Sequence, residues 1–295
     1  AVVTGSNRGI GFEIVKQIAG HGVTVILASR NPSAGIEAAK SLQELGLSVV
    51  FRQLDVLDTS SIQHFAEWIK QNYGGIDILV SHSTQFTCDL YDSVVLRQFV
   101  VCQVNNAGVN FNLGSENSAE FAHLVVNTNY YGTKNVIEVM IPLMRPSPLG
   151  ARIVNVSSRL GRVNRLGDVA LREQLSDIGT LSEEIIDRTL STFLRQVEDG
   201  SWASSGWPQV FTDYALSKLG VNCYTRLMAK VLSDRPEGEK IYVNCFCPGW
   251  VKTAMTGWAG NITPEEAADT GVWLSLLSDG MPTGKFFAER REINF

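Results

Sequence analysis

Tyr214 and Lys218 stand four positions apart in Tyr214-Ala215-Leu216-Ser217-Lys218. On a helix such a pair shares one face, so the phenol and the ammonium project the same way. A cation beside a phenol favours the phenolate and lowers a pKa that is ordinarily about 10, which gives a proton donor or acceptor usable near neutrality. Helix surfaces carry this spacing by chance as well, so the pair takes its weight from its company. Arg152-Ile153-Val154-Asn155-Val156-Ser157-Ser158 reads as a buried parallel strand ending in two hydroxyls. In a doubly wound sheet the ligand crevice lies at the carboxyl ends of the strands, which puts Ser158 where chemistry is done.

A second group lies at the start of the chain. Ala1-Val2-Val3 is a short β-branched run, and Thr4-Gly5-Ser6-Asn7-Arg8-Gly9-Ile10-Gly11 is a Gly-rich turn. Ile10, Ile14, Val15 and Ile18 then follow helical spacing. Strand, turn and helix in this order can cradle a pyrophosphate, because glycines let the backbone approach and the helix N-terminus offers free N–H groups. An ordinary βα turn is the bland alternative. A second strand, 24–29, ends in Arg30, nineteen positions after Gly11. An acidic residue there would suit a ribose 2′-hydroxyl, whereas arginine suits a 2′-phosphate, and Arg8 adds a second cation, so the pair favours NADP(H). Asp55 and Val56 follow a third strand, 48–53, and would flank an adenine.

These side chains need a scaffold that brings strand ends together. Asn105-Asn106-Ala107-Gly108 follows another strand end, and Pro248-Gly249-Trp250-Val251-Lys252-Thr253 closes a strand with a turn able to hold a carboxamide. Asn129-Tyr130-Tyr131-Gly132 opens or interrupts the helix carrying Val136, Ile137, Val139 and Met140. At 295 residues and 44% hydrophobic, with strands and helices alternating, the chain can bury one large α/β core, and no repeat or linker divides it. A net charge of −5 without basic clusters argues against nucleic acid and anionic membrane as partners. No run resembles a membrane span. Five cysteines without paired spacing fit a reducing compartment, hence the cytoplasm. Cys245 and Cys247 share one face of the strand 240–247 and read as core. His21, His64, His82 and His123 make no metal pattern. The chain opens inside a strand without Met, so an N-terminal piece is expected to be missing and targeting stays open.

Together these motifs resemble the short-chain dehydrogenase/reductase family, nearest the monomeric carbonyl reductases and the plant menthone, neomenthol and salutaridine reductase-like branch. The resemblance runs over nearly the whole chain. It implies a single Rossmann-type α/β domain, a doubly wound parallel sheet with helices on both faces, that uses NADP(H) to reduce ketones or aldehydes or to run the reverse oxidation. It implies the tetrad Asn129, Ser158, Tyr214 and Lys218, with Ser158 preferred over Ser157 because the family's reactive hydroxyl is the second of that pair. Tyr214 would protonate the developing alkoxide, Lys218 would acidify it and bind the nicotinamide ribose, and Ser158 would hydrogen-bond the substrate oxygen. Asn129 would hold a water near Lys218 through a bend in its helix. The dinucleotide would lie against Gly5, Asn7, Arg8, Gly9, Ile10, Gly11, Arg30, Asp55, Val56, Asn105, Ala107, Gly108, Pro248, Gly249, Val251 and Thr253, besides Tyr214 and Lys218. Trp250 would wall the substrate pocket or simply pack.

Ser158 and Tyr214 are 56 positions apart, more than in most of the family, and this extra segment is what the carbonyl reductases resemble. Within it Thr180-Leu181-Ser182-Glu183 suggests a capping box, followed by an apolar face of Ile185, Ile186, Leu190, Phe193, Leu194 and Val197. In that branch the extra helix covers the relatives' tetramer surface, which implies a monomer.

The family pattern Asp-Ile-Leu-Val-Asn-Asn-Ala-Gly is broken after Val80 and resumes at Val104. Removing 80–103, 24 residues, restores it, and the segment's ends can be encoded as a splice donor and acceptor. A translated retained intron is the favoured reading and a genuine loop its rival. Two segments then compete to be the central strand, 76–80 and 100–104. The second keeps Asn105 in place but buries Gln103, at a cost of about 1–3 kcal/mol if unpaired, and is the one favoured. Either way, lower stability is expected, and an NADP(H)-binding protein of impaired activity is the alternative function. A hydrolase lacks its Gly-x-Ser-x-Gly elbow here. Sugar-nucleotide epimerases space their glycines differently from 5, 9 and 11. The default substrate is a small apolar carbonyl or alcohol.

Overall fold

The β-branched runs become strands buried on both faces, because helices with apolar stripes lie across each side of them. A computed structural model describes residues 1–76, 101–111, 118–277 and 282–295. In chain order these form β1 (Val2–Thr4), α1 (Gly9–Gly20), β2 (Val25–Ser29), α2 (Pro32–Gln43), β3 (Val49–Gln53), α3 (Thr59–Tyr73), β4 (Val101–Asn105), α4 (Ala119–Val126) and α5 (Gly132–Met140). Then come β5 (Ala151–Val156), α6 (Val169–Ser176), α7 (Glu183–Glu198), α8 (Thr212–Val231), β6 (Ile241–Phe246), α9 (Pro264–Leu276), β7 (Phe286–Ala288) and β8 (Arg291–Ile293). Among the described residues the strands make one sheet in the order β3-β2-β1-β4-β5-β6-β7-β8, parallel except between β7 and β8. This is the expected doubly wound α/β architecture. The chain steps outward from β1 to β3 on one side and from β4 onward on the other. The crevice of such a sheet therefore opens at the carboxyl ends of β1 and β4.

Period-two alternation divides the core. Val2, Ile26, Ala28, Val101 and Ile153 pack on the side of α3, α5, α7 and α8, while Val3, Val25, Leu27, Val104 and Val154 pack on the side of α1, α2 and α9.

The central strand is the favoured one. β4 pairs with β1 through Val2 opposite Gln103, and with β5 from Val101 opposite Ala151 to Asn105 opposite Asn155. Ile76 makes a single bridge to Met144 instead. The rest of the earlier segment, and the inserted residues up to position 100, lie outside the described residues. Gln103 is wholly buried, as that choice required. It is half satisfied: its Nε2 donates to Asn105 Oδ1 (2.8 Å), while its Oε1 is buried without a partner. With β4 held in register on both sides, nothing among the described residues supports an impaired protein.

The extra helix α7 lies on α4 and α8. Ile186, Leu190, Phe193, Leu194 and Val197 are buried beneath it, with Ile185 partly so, each contributing about 1.5–3 kcal/mol of apolar burial. Its cap corrects the sequence reading. Ser182, rather than Thr180, takes the N-terminal position and accepts from the Ile185 N–H. Thr180 bonds back to Asp177, and Glu183 pairs with Lys134. Asp187 adds hydrogen bonds from Tyr130 Oη (2.7 Å) and Lys134 Nζ (2.8 Å). A long-range ion pair thus outcompeted a local capping box.

Candidate active site

β5 ends at Val156, and two successive serines leave it in different environments. Ser157 is buried, its Oγ donating to Asn222 Oδ1 (2.6 Å). Ser158 is half-buried and caps the short turn Arg159–Gly161 by accepting from Leu160 N–H (3.1 Å). That turn lies directly on α8: a β-carbon on Gly161 would stand 2.4 Å from the carbonyl carbon of Lys218. Asn222 Nδ2 donates to Gly161 O (2.9 Å). Asn222, Ser157 and Gly161 therefore clamp the end of β5 to the helix that carries Tyr214 and Lys218. Sequence reading passed over Asn222, although it continues the Tyr214, Lys218 face one further turn along.

Lys218 is buried and its Nζ donates to Val156 O (2.8 Å), lying 5.7 Å from the Tyr214 ring centroid. Burial pushes its ammonium down to about 8, against the opposing influence of Cys247 and Cys245. The phenol of Tyr214 departs from expectation. Burial raises its pKa, Cys247 raises it further, and only a hydrogen bond with Ser158 pulls it down. Lys218 spends a proton on Val156 rather than on the phenol oxygen, so desolvation wins over the cation in this state.

Asn129 lies in a π-helical turn, Asn127–Tyr131, between α4 and α5, so the predicted interruption is present. Its amide is heavily committed: Oδ1 accepts from Val109 N–H (2.8 Å), and Nδ2 donates to Val109 O (2.9 Å) and Ser217 Oγ (3.0 Å). Only one lone pair remains to the side chain. A β-carbon on Gly108 would fall 3.3 Å from Asn129 Oδ1 and 3.6 Å from Lys218 Nζ. Gly108 therefore keeps open the space that the two side chains face.

The Gly-rich turn is built as a cradle. Gly5 has φ of 61°, and a β-carbon there would stand 2.6 Å from Ala107 Cα. On Gly11 it would stand 2.3 Å from Asn106 Nδ2. Asn106 Nδ2 in turn donates to Thr4 O (3.1 Å) and Gly5 O (2.9 Å), a holding role that sequence reading missed. No side chain caps α1 behind Arg8, which leaves its first N–H groups to the crevice. Gly9 has φ of 60° and faces the methyl of Thr253, with Cγ2 3.5 Å from where its β-carbon would be. The Pro248–Thr253 turn and the Gly-rich turn therefore meet. Asn7 and Ile10 are half-buried, while Arg8 and Arg30 are exposed. Asp55 Oδ1 accepts from Leu57 N–H, and Val56 is buried under Gly132. A floor of tight glycines, a bare helix N-terminus and two exposed arginines fits an anionic dinucleotide.

Three cofactor expectations are revised in detail. Asn105 does not line the crevice: it is buried, and its Nδ2 donates to Asn155 Oδ1 (2.8 Å) within the sheet. Period two turns its side chain towards α8. Val251 is buried and bridges Ile262, with its carbonyl accepting from Thr256 Oγ1 (2.6 Å). Its side chain therefore contacts protein, and its main-chain N–H is what it can offer. Thr253 caps the short turn Ala254–Thr256 with its side chain, and only its methyl faces Gly9. Pro248 is half-buried and Gly249 exposed with φ of 88°. Trp250 is exposed rather than packed, its Nε1 donating to Ala259 O (2.9 Å).

Residues 1–170 match the short chain dehydrogenase family. (-)-Isopiperitenone reductase of Mentha piperita is 38% identical over 311 residues, covering 99% of this chain and 97% of the relative. The carbonyl reductase 1 of Bos taurus, whose name specifies NADPH, is 34% identical over 300 residues, covering 100% of this chain and 98% of the relative. Salutaridine reductase from Papaver somniferum superposes with a TM-score of 0.81 at 33% identity, covering 97% of this chain and 98% of that one.

Proposed function

Because this chain belongs to the short chain dehydrogenase family, we propose that it reduces ketones or aldehydes with NADPH, or oxidises the corresponding alcohols, with Tyr214 as the general acid. What supports this reading most is the meeting of α8 with the end of β5: Lys218 Nζ donates to Val156 O, and Tyr214 shares a hydrogen bond with Ser158. NADP(H), when bound, would supply or accept the hydride. Gly5, Gly9 and Gly11 would hold its pyrophosphate, Arg8 and Arg30 its 2′-phosphate, and Ala107, Gly108, the Val251 main chain and Thr253 its nicotinamide half.

Ser158 Oγ hydrogen-bonds the substrate oxygen, and Tyr214 Oη gives that oxygen its proton as negative charge develops. A phenol held protonated by burial suits the acid role in the reductive direction. Lys218 resupplies charge and protons, its ammonium titrating near 8. Asn129 acts mainly by fixing the 108–109 backbone opposite Lys218, and any water it holds contacts its remaining lone pair.

The chain is proposed to be one catalytic domain and to work as a monomer in the cytoplasm. Support for the monomer is α7, which covers α4 and α8 with buried apolar side chains and the ion pairs of Lys134. Among the described residues no helix is long and apolar enough to cross a membrane. The direct test is NADPH oxidation against monoterpenoid ketones, quinones, steroids and aldehydes, with Tyr214→Phe alongside. Loss of a proton-donating group should lower kcat by about 10²–10⁴-fold while NADPH still binds. A Tyr214→Phe protein that turned over at the wild-type rate would overturn the assignment.

A further inference from the structure

Asn129 stands on a turn that has to be held in shape. Residues Asn127–Tyr131 form a π turn, closed where the Gly132 N–H reaches back to the Asn127 carbonyl. Such turns are rare and carry one residue more than an α-helical turn. Closing this one to α geometry would rotate the helix on one side of it by about 100° relative to the other, and Asn129 would leave Val109. The turn therefore needs an anchor besides the Asn129 amide.

Tyr130, the next residue, supplies one in the interior. It is buried, and its ring lies on Gly220 of α8, where a β-carbon would stand 2.8 Å from Tyr130 Cδ2 and 2.9 Å from Leu190 Cδ1 of α7. Tyr224 meets the ring edge-on, with centroids 6.1 Å apart. At the tip of the ring Oη donates to Asp187 Oδ1 on α7 (2.7 Å), and Lys134 Nζ holds the other carboxylate oxygen (2.8 Å). Burial and the neighbouring carboxylate both push the Tyr130 phenol up, so it remains a donor. Consecutive side chains of the π turn thus grip α8 one turn apart, Asn129 at Ser217 and Tyr130 at Gly220.

We propose that Tyr130 and Asp187 are positioning residues for the reaction proposed above, on which this inference rests: through their hydrogen bond α7 holds the π turn, and the π turn holds Asn129 against Val109 opposite Lys218. Neither residue meets substrate or cofactor; both act through Asn129. The extra helix thereby braces the active site, besides covering α4 and α8.

Hydrogen exchange of the Val109 amide reads this arrangement without any turnover, because that N–H donates to Asn129 Oδ1. Tyr130→Phe keeps the ring and removes the hydroxyl, and should speed the exchange about tenfold. Asp187→Leu should share the defect, and Asp187→Asn, which retains an oxygen to accept from Tyr130 Oη, should recover most of it. Glu183→Gln weakens only the pair with Lys134 and should leave the exchange within about twofold of wild type. In NADPH oxidation with menadione, Tyr130→Phe should lower kcat about tenfold while KM and NADPH affinity stay within about twofold. Added to Asn129→Ala it should lower kcat no further, whereas independent effects would multiply. Multiplied losses, or a Val109 exchange rate or kcat that Tyr130→Phe does not move, would overturn the proposal. Equal acceleration of exchange in Glu183→Gln would do so too, since it would mean a general loosening of α7. If wild type oxidises no NADPH with menadione or the rest of the panel above, yet Val109 exchange responds as described, the positioning stands and the reductase reading fails.

Discussion

Lys218 Nζ donates its hydrogen bond to the main-chain oxygen of Val156, the last residue of β5, so the strand that delivers Ser158 also holds the lysine. This buried cation has a pH signature. Unfolded, a lysine keeps its proton to about pH 10.4, whereas folded Lys218 loses it near 8. Between those values the unfolded chain binds more protons, so this residue makes stability rise with pH. Cys102, Cys223 and Cys245, whose thiols burial pushes up, work in the opposite sense above about pH 8.5. Tyr214 joins them above about pH 10. Comparing cofactor-free wild type with Lys218→Met cancels Cys102, Cys223 and the phenol, and all of Cys245 except the part that Lys218 itself influences. The stability of wild type relative to the variant should climb from pH 7 to 10, by at most about 3 kcal/mol. Urea midpoints at matched pH measure it, and a flat difference means that Lys218 is not desolvated as described.

Gly9 and Gly11 should separate cofactor binding from folding. A methyl on Gly9 meets only Thr253 Cγ2 at ordinary contact distance, but it enters the cradle. Gly9→Ala should therefore cost about 1 kcal/mol through its positive φ and weaken NADPH binding about tenfold or more. A methyl on Gly11 collides with Asn106 Nδ2 and the Gly5 carbonyl. Gly11→Ala should lose about 1–3 kcal/mol of stability before any ligand is added. Thermal melts with and without NADPH distinguish the two.

Arg30 stands exposed where β2 ends, and a 2′-phosphate is what would occupy it. Removing one charge-assisted contact of about 1.5–3 kcal/mol should weaken NADPH about 10–100-fold. Arg30→Asp should do so while leaving NADH binding unchanged or improved. Titration of both nucleotides by fluorescence reads the ratio, and a parallel loss of both would show that Arg30 serves the fold.

A buried amide ladder links β4 to α8. Gln103 Nε2 donates to Asn105, Asn105 Nδ2 to Asn155, Asn155 Nδ2 to Thr225 Oγ1 (2.9 Å), and Thr225 Oγ1 to Val221 O (2.8 Å). Cutting the middle leaves buried partners unpaired on both sides, so Asn155→Leu should destabilise by about 2–4 kcal/mol. Gln103→Leu exchanges one orphaned oxygen, its own Oε1, for another, Asn105 Oδ1, and should stay within about 1 kcal/mol of wild type. Urea unfolding of the two variants tests the contrast.

Local pattern was enough to read the reactive groups and the frame beneath them. Four-residue spacing puts Tyr214 and Lys218 on one helical face whatever surrounds them, and β-branched runs beside a Gly-rich turn specify a βα unit. The choice of 100–104 over 76–80 as central strand was also legible, because Asn105 keeps its place only in that register; the strand forms over Val101–Asn105. Other features required distant parts of the chain to meet. Ser182 caps α7 because Lys134, far back in sequence, claims Glu183. Asn105 turns into the sheet because Gln103 and Asn155 receive it there. Tyr214 is raised rather than acidified because burial is set by the whole fold, and Val156 occupies the proton of Lys218 that a reading of the helix alone would have given to the phenol. Periodicity and steric permission are written along the chain, whereas desolvation and long-range hydrogen bonding are collective and exist only after it has folded.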